Sequence, residues 1–350
     1  MAKRIVIMAG GTGGHVFPAL AVAESLLEKG WEVSWLGTQG GLEARVVPEH
    51  GIAIDWLAVA GVRGKGMLSK VKAVFKLIKA CLQATRLLKK RRPDVVLGMG
   101  GFVAGPGGLM AKMLGIPLII HEQNRVPGTT NRWLARLANR VLEAFPGSFE
   151  KKRRAICTGN PLRKKFLLTS ESDQEKTEQN LKILIVGGSQ GAQRLNEVVP
   201  EAMALLKGIH VIHQTGSAMQ EQVAARYQEL GVNAEAKAFI QDMAEAYQWA
   251  DLAICRAGAM TISELAASGC PAVLVPLPWA IDDHQVANAH YLADAGAGLI
   301  LLQKDLTPET LAEAVAGVRG RLTAMAEAAK GCARLDATET VANYCIAEAN

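Results

Sequence analysis

Two stretches of the sequence place a histidine beside groups that could bind phosphate or move a proton. In the first, the nearly all-glycine residues 10–14 follow an apolar run and precede His15. Glycine lets backbone approach a ligand closely, and the N–H groups at a helix start attract anions. A helix N-terminus disfavours imidazolium, so His15 is expected to be neutral at pH 7 and could act as a general base. The alternative is a histidine satisfied by neighbouring backbone.

The second stretch concentrates polar groups at the end of a predicted strand. It contains His121, Glu122, Asn124 and Asn131. Ligands of open α/β sheets bind beyond the carboxyl ends of the strands, which favours a site over a plain turn. His121 and Glu122 are therefore further candidates for a base, after His15.

The stretch RAGAMTISE has the composition of a ligand-binding helix start. Gly258 and Ala259 would let a ligand come close, and Thr261 and Ser263 supply hydroxyl groups. Glu264 could accept hydrogen bonds from both hydroxyls of a ribose. The helix dipole alone also favours a glutamate here, so this residue by itself does not decide the matter.

Three further residues could donate hydrogen bonds or carry charge toward a ligand. Ser189 lies in a third glycine turn, GGSQGAQ, and its hydroxyl is an additional donor. Arg163 follows GNP and could carry positive charge toward a diphosphate, while Gln285 could hydrogen-bond a sugar hydroxyl. A fourth glycine turn, GMGGFVAGPGG, completes a set in which each turn is expected at the carboxyl end of a strand.

Several cofactor classes are excluded by the same motifs. A dinucleotide fingerprint starting at Gly11 would require glycine at position 16, where Val16 stands, and the second strand lacks the acidic residue that binds ribose. The sequence has no P-loop, no D-x-D, no C-x-x-C and no metal-ligand spacing of its histidines. We therefore expect neither a cofactor nor a metal.

The elements that must position these residues alternate between strands and helices. Short, continuously apolar runs predict parallel strands buried on both faces. They span residues 4–8, 32–36, 95–98, 118–121, 182–186, 210–213, 252–255 and 272–275. Helical patterns between them predict a doubly wound parallel α/β fold.

The chain resembles itself at an offset of about half its length, which predicts two similar domains. The polar residues 164–182 are expected to form the linker. The predicted domains are residues 1–163 and 164–335, followed by a final helix over about 336–350.

Net charge is +6 and the pI is near 9.0, which favours anionic partners. The pattern of residues 67–92 predicts a basic amphipathic helix without acidic residues, which suggests contact with anionic lipid. Nucleic acid is a less favoured partner, because no motif that reads nucleic acid accompanies the charge. We expect one helical face to pack on the sheet and another to carry lysines. The apolar face comprises Leu68, Val71, Phe75, Ile78 and Leu82, and the lysines are Lys72, Lys76 and Lys79.

No apolar run is long enough to cross a membrane and no signal peptide is evident, so a cytoplasmic chain is expected.

The motifs together resemble the MurG family of bacterial glycosyltransferases. They occur in one order along nearly the whole chain: GGTGGHVFPALA, GMGGFVAGPGG, HEQN, AFPG, GNPLR, GGSQGA, RAGAMTISEL and DDHQ…NA. The resemblance implies a GT-B fold, with two Rossmann-like domains facing a cleft and a final helix returning to the first domain. It departs from the family after GPGG, where LMAKMLGIP offers methionines in place of bulky membrane-facing aromatics.

The resemblance also implies an activity. N-acetylglucosamine would pass from UDP-N-acetylglucosamine to the 4-hydroxyl of undecaprenyl-diphospho-N-acetylmuramoyl-pentapeptide (lipid I), with inversion and without a metal, giving lipid II for peptidoglycan. The enzyme would lie peripherally on the cytoplasmic face of the plasma membrane. The matching substrate-binding positions are Thr12, Gly13, Gly14, Asn124, Arg163, Ser189, Ile240, Ala259, Met260, Thr261, Ile262, Ser263, Glu264 and Gln285. The alternatives are a GT-B enzyme with another lipid acceptor and a UDP-sugar-binding protein without turnover.

Overall fold

The computed structural model of the chain describes residues 2–59, 67–168, 180–187, 193–278 and 284–350, with side chains from residue 74 onward in the second range. These residues divide into two compact units. Unit 1 comprises Met1–Arg163 and Arg334–Asn350, and unit 2 comprises Lys164–Ala333.

Unit 1 is built on a parallel sheet of seven strands, in the order β3-β2-β1-β4-β5-β6-β7. The strands are β1 (Arg4–Ala9), β2 (Glu32–Gly37), β3 (Ala53–Trp56), β4 (Val95–Gly100), β5 (Leu118–Glu122), β6 (Arg140–Glu143) and β7 (Ile156–Cys157). In the centre, Ile7 pairs with Trp35 on one side and with Leu97 on the other. Strand order reverses between β1 and β4, and such switch points are where α/β sheets bind ligands.

The helices of unit 1 connect successive strands. They are α1 (Gly13–Glu28), α2 (Glu43–Glu49), α3 (Met67–Arg91), α4 (Ala104–Met113) and α5 (Thr129–Leu134). A 3-10 turn covers Lys151–Arg153. Apolar residues on both faces of the sheet form two core clusters, as expected for strands covered by helices on both sides.

Unit 2 repeats the plan with six parallel strands in the order β10-β9-β8-β11-β12-β13. The strands are β8 (Leu181–Val186), β9 (Ile209–Gln214), β10 (Ala234–Lys237), β11 (Leu252–Cys255), β12 (Ala272–Leu274) and β13 (Gly298–Ile300). The helices are α6 (Lys164–Leu168), α7 (Gln193–Ala204), α8 (Gln220–Glu229), α9 (Met243–Trp249), α10 (Ala259–Ser268), α11 (His284–Ala293), α12 (Pro308–Arg319) and α13 (Leu322–Gly331). A 3-10 turn covers Gln303–Asp305. The predicted doubly wound α/β fold is confirmed in both units.

The last helix, α14 (Ala337–Glu348), belongs to unit 1. It packs against α1, and Val341, Ala342 and Cys345 are fully buried in the core cluster there. Thr338 links α14 to the end of the Met1–Arg163 part of unit 1. Its hydroxyl donates to Leu162 O and accepts from Leu162 N–H, both at 3.1 Å.

The segment expected to be a linker, residues 164–182, begins with the five-residue helix α6, its last two residues lie in strand β8, and residues 169–179 lie outside the described residues. One prediction about the elements is wrong. In α3 the apolar face does not pack on the sheet: Phe75, Ile78 and Leu82 are 69%, 51% and 57% exposed. The buried face instead carries Ala80, Ala84 and Leu88. Leu68, Val71 and Lys72 lie outside the described side chains.

Candidate functional site

The glycine turns that follow β1 and β4 touch each other at the switch point of the unit 1 sheet. A Cβ placed on Gly101 would lie 2.4 Å from the carbonyl oxygen of Gly10, so a side chain there would collide with backbone. Gly101 also has φ of +82°, a conformation that glycine adopts without strain. The two turns therefore meet backbone to backbone, and this brings the start of α1 to the end of β4.

His15 lies in the first turn of α1, directly over the second glycine turn. A Cβ on Gly100 would lie 2.9 Å from its ring, so glycine at that position makes room for the imidazole. The ring is half-buried, and its Nδ1 lies 2.8 Å from Gln123 Oε1. Thr12 precedes the helix with extended backbone and makes no side-chain cap. The N–H groups of Gly13 and Gly14 begin the helix there, in the position in which helix N-termini bind anions.

His121 is engaged entirely within the protein. Its side chain is fully buried, with Nε2 at 2.9 Å from Gly159 O and Nδ1 at 3.1 Å from Gln123 Nε2. Burial lowers the pKa of His121 to about 4, so the ring is neutral at pH 7. Both ring nitrogens of His121 are therefore engaged within the protein, which disfavours this residue as the base; its role stays a prediction.

Glu122 is likewise committed to structure. One carboxylate oxygen accepts from the backbone and side-chain N–H groups of Asn124, at 3.0 and 3.3 Å. The other accepts from Gly128 N–H at 3.1 Å and from Asn131 Nδ2 at 3.0 Å. A buried carboxylate with both oxygens occupied fixes the loop after β5, which disfavours Glu122 as the base; this role also stays a prediction. Asn124 and Asn131 are brought together here, as parts of that loop.

Arg163 stands near the start of α1, since its guanidinium carbon lies 5.6 Å from the ring centre of Phe17. A cation over an aromatic face is a favourable contact. The positive charge is therefore held beside the glycine turns of unit 1. Its predicted contact with a donor diphosphate remains a prediction.

A cavity of ≈ 660 Å³ opens over the carboxyl ends of β1 to β4. Its lining carries no charged side chain among the described residues and combines backbone of the glycine turns with apolar and amide groups. The lining residues are Gly10, Gly11, Thr38, Gln39, Gly40, Gly41, Trp56, Leu57, Ala58, Val59, Gln83, Phe102 and Val103.

The rim of this cavity is held by Glu43, a residue that the sequence analysis missed. The fully buried carboxylate accepts from Gly11 N–H at 2.9 Å, and from Thr38 N–H and hydroxyl at 2.9 and 2.7 Å. It thereby joins the turn after β1 to the turn after β2. Nothing in the pattern GGLEARVVPE distinguishes this glutamate from an ordinary helix-start acid.

Unit 2 has a cavity of ≈ 530 Å³ at its own switch point, between the ends of β8 and β11. It is lined by Val186, Gly187, Gln193, Arg194, Glu197, Arg256, Gly258, Thr261, Leu277, Gln285 and Gln303. Two predicted site residues, Thr261 and Gln285, are thus brought together, beside the start of α10.

Helix α10 presents its first turn to this cavity, but not every predicted residue takes part. Gly258 precedes the helix with extended backbone and no side-chain cap. Ile262 is fully buried and its N–H donates to Gly258 O at 3.0 Å, so its side chain belongs to the core and its predicted contact with a ligand stays a prediction. Ser263 directs its hydroxyl to Ala259 O at 3.1 Å. Glu264 is half-buried one turn beyond Thr261, on the same side of the helix.

Gln285 has a fixed orientation. Its Oε1 accepts the backbone N–H groups of Ala257 and Leu277, at 3.2 and 2.9 Å, which leaves the amide nitrogen as the group that can donate to a ligand. Ile240 is buried, and its N–H donates to Gln214 Oε1 at 3.0 Å. Ser189 lies outside the described residues.

Arg256 is a cavity residue that the sequence analysis quoted without assigning a role. Its guanidinium donates to Val275 O at 3.1 Å and to Gln303 Oε1 at 2.7 Å. Burial lowers its pKa from the ordinary value, although an arginine remains charged at pH 7. A fixed positive charge therefore lines the unit 2 cavity. Within the part of the chain that the structure describes, no cluster of histidine, cysteine and acidic side chains could hold a metal ion.

Family models and known relatives match this chain along nearly its whole length. The glycosyltransferase family 28 N-terminal domain matches residues 5–143, and the family 28 C-terminal domain matches residues 182–342. The UDP-N-acetylglucosamine–N-acetylmuramyl-(pentapeptide) pyrophosphoryl-undecaprenol N-acetylglucosamine transferase of Methylococcus capsulatus is 60% identical, covering 100% of this chain and 99% of its own. The enzyme with the same name from Marinobacter nauticus is 49% identical, over 99% and 98%.

Solved structures of glycosyltransferases are also similar to this chain over nearly its whole length. The crystal structure of Acinetobacter baumannii MurG is similar with a TM-score of 0.85 at 43% identity, covering 99% of each chain. The glycosyltransferase of kitacinnamycin has a TM-score of 0.76 at 21% identity, over 99% of each chain, and shares the fold.

From the burial of His121 we predict that the protein loses stability in acid. The unfolded chain binds a proton on His121 near pH 6.5 and the folded chain only near pH 4, so the unfolded state carries more protons between these values. The contribution of His121 to the free energy of unfolding is complete above pH 6.5 and falls by about 3 kcal/mol as the pH drops to 4.

Urea denaturation between pH 4.5 and 7.5 measures this effect. We expect His121→Gln to flatten the pH dependence of the free energy of unfolding. An identical slope in wild type and His121→Gln would show that His121 is not the titrating group.

Proposed function

The chain belongs to the MurG family within glycosyltransferase family 28, and from this premise we propose that it transfers N-acetylglucosamine from UDP-N-acetylglucosamine to lipid I, giving lipid II for peptidoglycan synthesis. The observation that carries this proposal is the 60% identity over the whole chain to a relative that bears the name of this reaction. The two cavities, one at the switch point of each unit, support it, because a transferase must bind both a donor and an acceptor.

We propose that His15 is the general base. The 4-hydroxyl oxygen of the muramoyl group attacks the anomeric carbon of the donor, whose bond to the diphosphate oxygen breaks with inversion. The proton passes to His15, and UDP leaves with the electron pair. His15 is supported by its position at the start of α1 over the glycine turns, and by the engagement of His121 and Glu122 in internal hydrogen bonds.

The donor would occupy the unit 2 cavity. Thr261 and Gln285 line it and offer a hydroxyl and an amide N–H to the donor, while Arg256 supplies positive charge toward the diphosphate. The start of α10 adds N–H groups, which stabilise a leaving diphosphate without a metal. Glu264 would hold the ribose diol, and the carbonyl of Ile240 would meet uracil, since its N–H is engaged by Gln214.

The acceptor would occupy the unit 1 cavity. Gly10 and Gly11 line it, and the turn continues through Thr12, Gly13 and Gly14 to His15, so an acceptor diphosphate would meet helix N–H groups close to the base. The remainder of the described lining is partly apolar, with Trp56 and Phe102, and suits contact with the muramoyl group.

Attachment to the membrane would use the outward face of α3. Its exposed apolar residues are Val74, Phe75, Leu77, Ile78 and Leu82. Lys76 and Lys79 are exposed among them, and Met113 of α4 and Trp133 of α5 are exposed on the helices that pack successively beside α3. Apolar insertion combined with lysines is the pattern of peripheral binding to anionic phospholipid. No helix within the described residues is long and apolar enough to span a membrane.

A substitution at Glu264 tests the donor site. Glu264→Ala should weaken UDP-N-acetylglucosamine binding roughly 10- to 100-fold, because the ribose hydroxyls lose a charged acceptor. Isothermal titration calorimetry measures this, with Glu309→Ala, an exposed glutamate of α12, as the matched control. Donor affinity equal to that of wild type would remove Glu264 from the site.

A substitution at His15 tests the mechanism. His15→Ala should lower kcat for transfer to a short-chain lipid I analogue by roughly 10²- to 10⁴-fold, the range for loss of a general base, while the donor Kd stays within about twofold. His50→Ala is the control for a surface histidine of the same unit. A parallel loss of donor binding would make His15 structural, and an unchanged kcat would exclude it as the base.

The membrane surface is tested with vesicles that contain phosphatidylglycerol. The double variant Lys76→Glu/Lys79→Glu should bind at least about tenfold more weakly, since each lysine near an anionic surface contributes about 1 kcal/mol, and the loss should be larger at low salt. Lys207→Glu/Lys304→Glu makes the same charge change on exposed lysines of unit 2. Equal binding of the two double variants would show that net charge, and not this face, controls attachment.

A further inference from the structure

A histidine can act as a base only through a nitrogen that carries no proton, and the structure shows which nitrogen of His15 this is. The evidence lies in the side chain between His15 and His121. Gln123 places Oε1 at 2.8 Å from His15 Nδ1, and Nε2 at 3.1 Å from both His121 Nδ1 and His121 O.

The orientation of the Gln123 amide follows from the carbonyl of His121. A carbonyl oxygen can only accept, so the amide atom that faces it must be the nitrogen. A flipped amide would set its oxygen against the carbonyl oxygen of His121 at 3.1 Å, and two acceptors facing each other in a buried site are costly. The distances therefore admit one arrangement, with Nε2 toward His121 and Oε1 toward His15.

Both ring tautomers follow from this arrangement. Since Gln123 Nε2 donates to His121 Nδ1, the proton of His121 is on Nε2, where it is donated to Gly159 O at 2.9 Å. Since Gln123 Oε1 can only accept, His15 Nδ1 must carry the proton and donate. The lone pair of His15 is then on Nε2.

Burial makes the arrangement rigid. Gln123 and His121 are both fully buried, and Gln123 Nε2 also lies against Met99 Sδ at 4.0 Å. Water therefore cannot replace Gln123 as the partner of His15 Nδ1 without reorganising the core. The tautomer of His15 would therefore be determined by a chain of hydrogen bonds that begins at the carbonyl of Gly159 and runs through His121 and Gln123.

We infer that Gln123 is a positioning residue that holds His15 in the Nδ1–H tautomer and so presents a basic Nε2 to the acceptor hydroxyl. Its effect on the rate rests on the proposed function, whereas the tautomer of His15 does not. An orienting partner on the far nitrogen of a catalytic histidine has the same role in hydrolase triads, where it is a carboxylate.

Long-range ¹H–¹⁵N spectra of the ¹⁵N-histidine-labelled protein read the tautomer directly, and a His15→Ala spectrum assigns the His15 signals. In wild type we expect Nε2 to be unprotonated and Nδ1 protonated. Gln123→Met removes the acceptor and should give a mixed or Nε2–H tautomer. Gln123→Glu keeps an acceptor oxygen in either protonation state and should retain the wild-type tautomer. His213, paired with Tyr227 in unit 2, is an internal control whose signals should not move.

Kinetics test the second half of the inference. Gln123→Met should lower kcat roughly 10- to 100-fold with the donor KM within about twofold, and Gln123→Glu should recover most of the rate. A wild-type Nε2–H tautomer, or an unchanged tautomer in Gln123→Met, would overturn the assignment. A shifted tautomer with unchanged kcat would overturn the catalytic role. If Gln123→Met does not fold, the wild-type and Gln123→Glu spectra decide. A protein that makes no product but shows the expected tautomers would contradict the proposed function alone.

Discussion

The close contact between two glycine turns determines the rest of the unit 1 site. A side chain on Gly101 would strike the backbone of Gly10, and one on Gly100 would strike the ring of His15. Without those side chains, the ends of β1 and β4 meet at the point where strand order reverses. The start of α1, its N–H groups and the imidazole of His15 are thereby gathered at the edge where parallel sheets bind ligands.

Buried carboxylates then fix the loops around this contact. Glu43, Glu122 and Glu143 are each almost fully buried, and each accepts backbone N–H groups from loops at the carboxyl edge of the sheet. A buried charge is stabilised by several donors, so these residues contribute order to the loops. In our proposal the proton passes to His15, whose ring is half-buried and whose Nδ1 lies 2.8 Å from Gln123 Oε1.

Much of the fold could be predicted because central strands are apolar on both faces and end in glycine turns. Short strands were missed, such as β10 with sequence AEAK, because their pairing depends on a neighbouring strand and not on their own pattern. In α3, periodicity showed which residues share a face, but the small Ala80 and Ala84 decided which face packs. In the candidate site, the sequence indicated which types of residue occur, but not which of their side chains are buried and engaged in internal hydrogen bonds. Gln123 could have been found, since extended backbone places it on the same side as His121, two residues before.

The central claim is that this chain joins N-acetylglucosamine to a lipid-linked muramoyl acceptor. The most direct measurement is to incubate the purified protein with labelled UDP-N-acetylglucosamine and a short-chain lipid I analogue, with EDTA present, and to detect the product by mass. The account predicts a disaccharide lipid heavier by one N-acetylglucosamine residue, with release of UDP. Donor binding without any such product would contradict it and would point to another acceptor or to a protein that binds UDP-sugars without turnover.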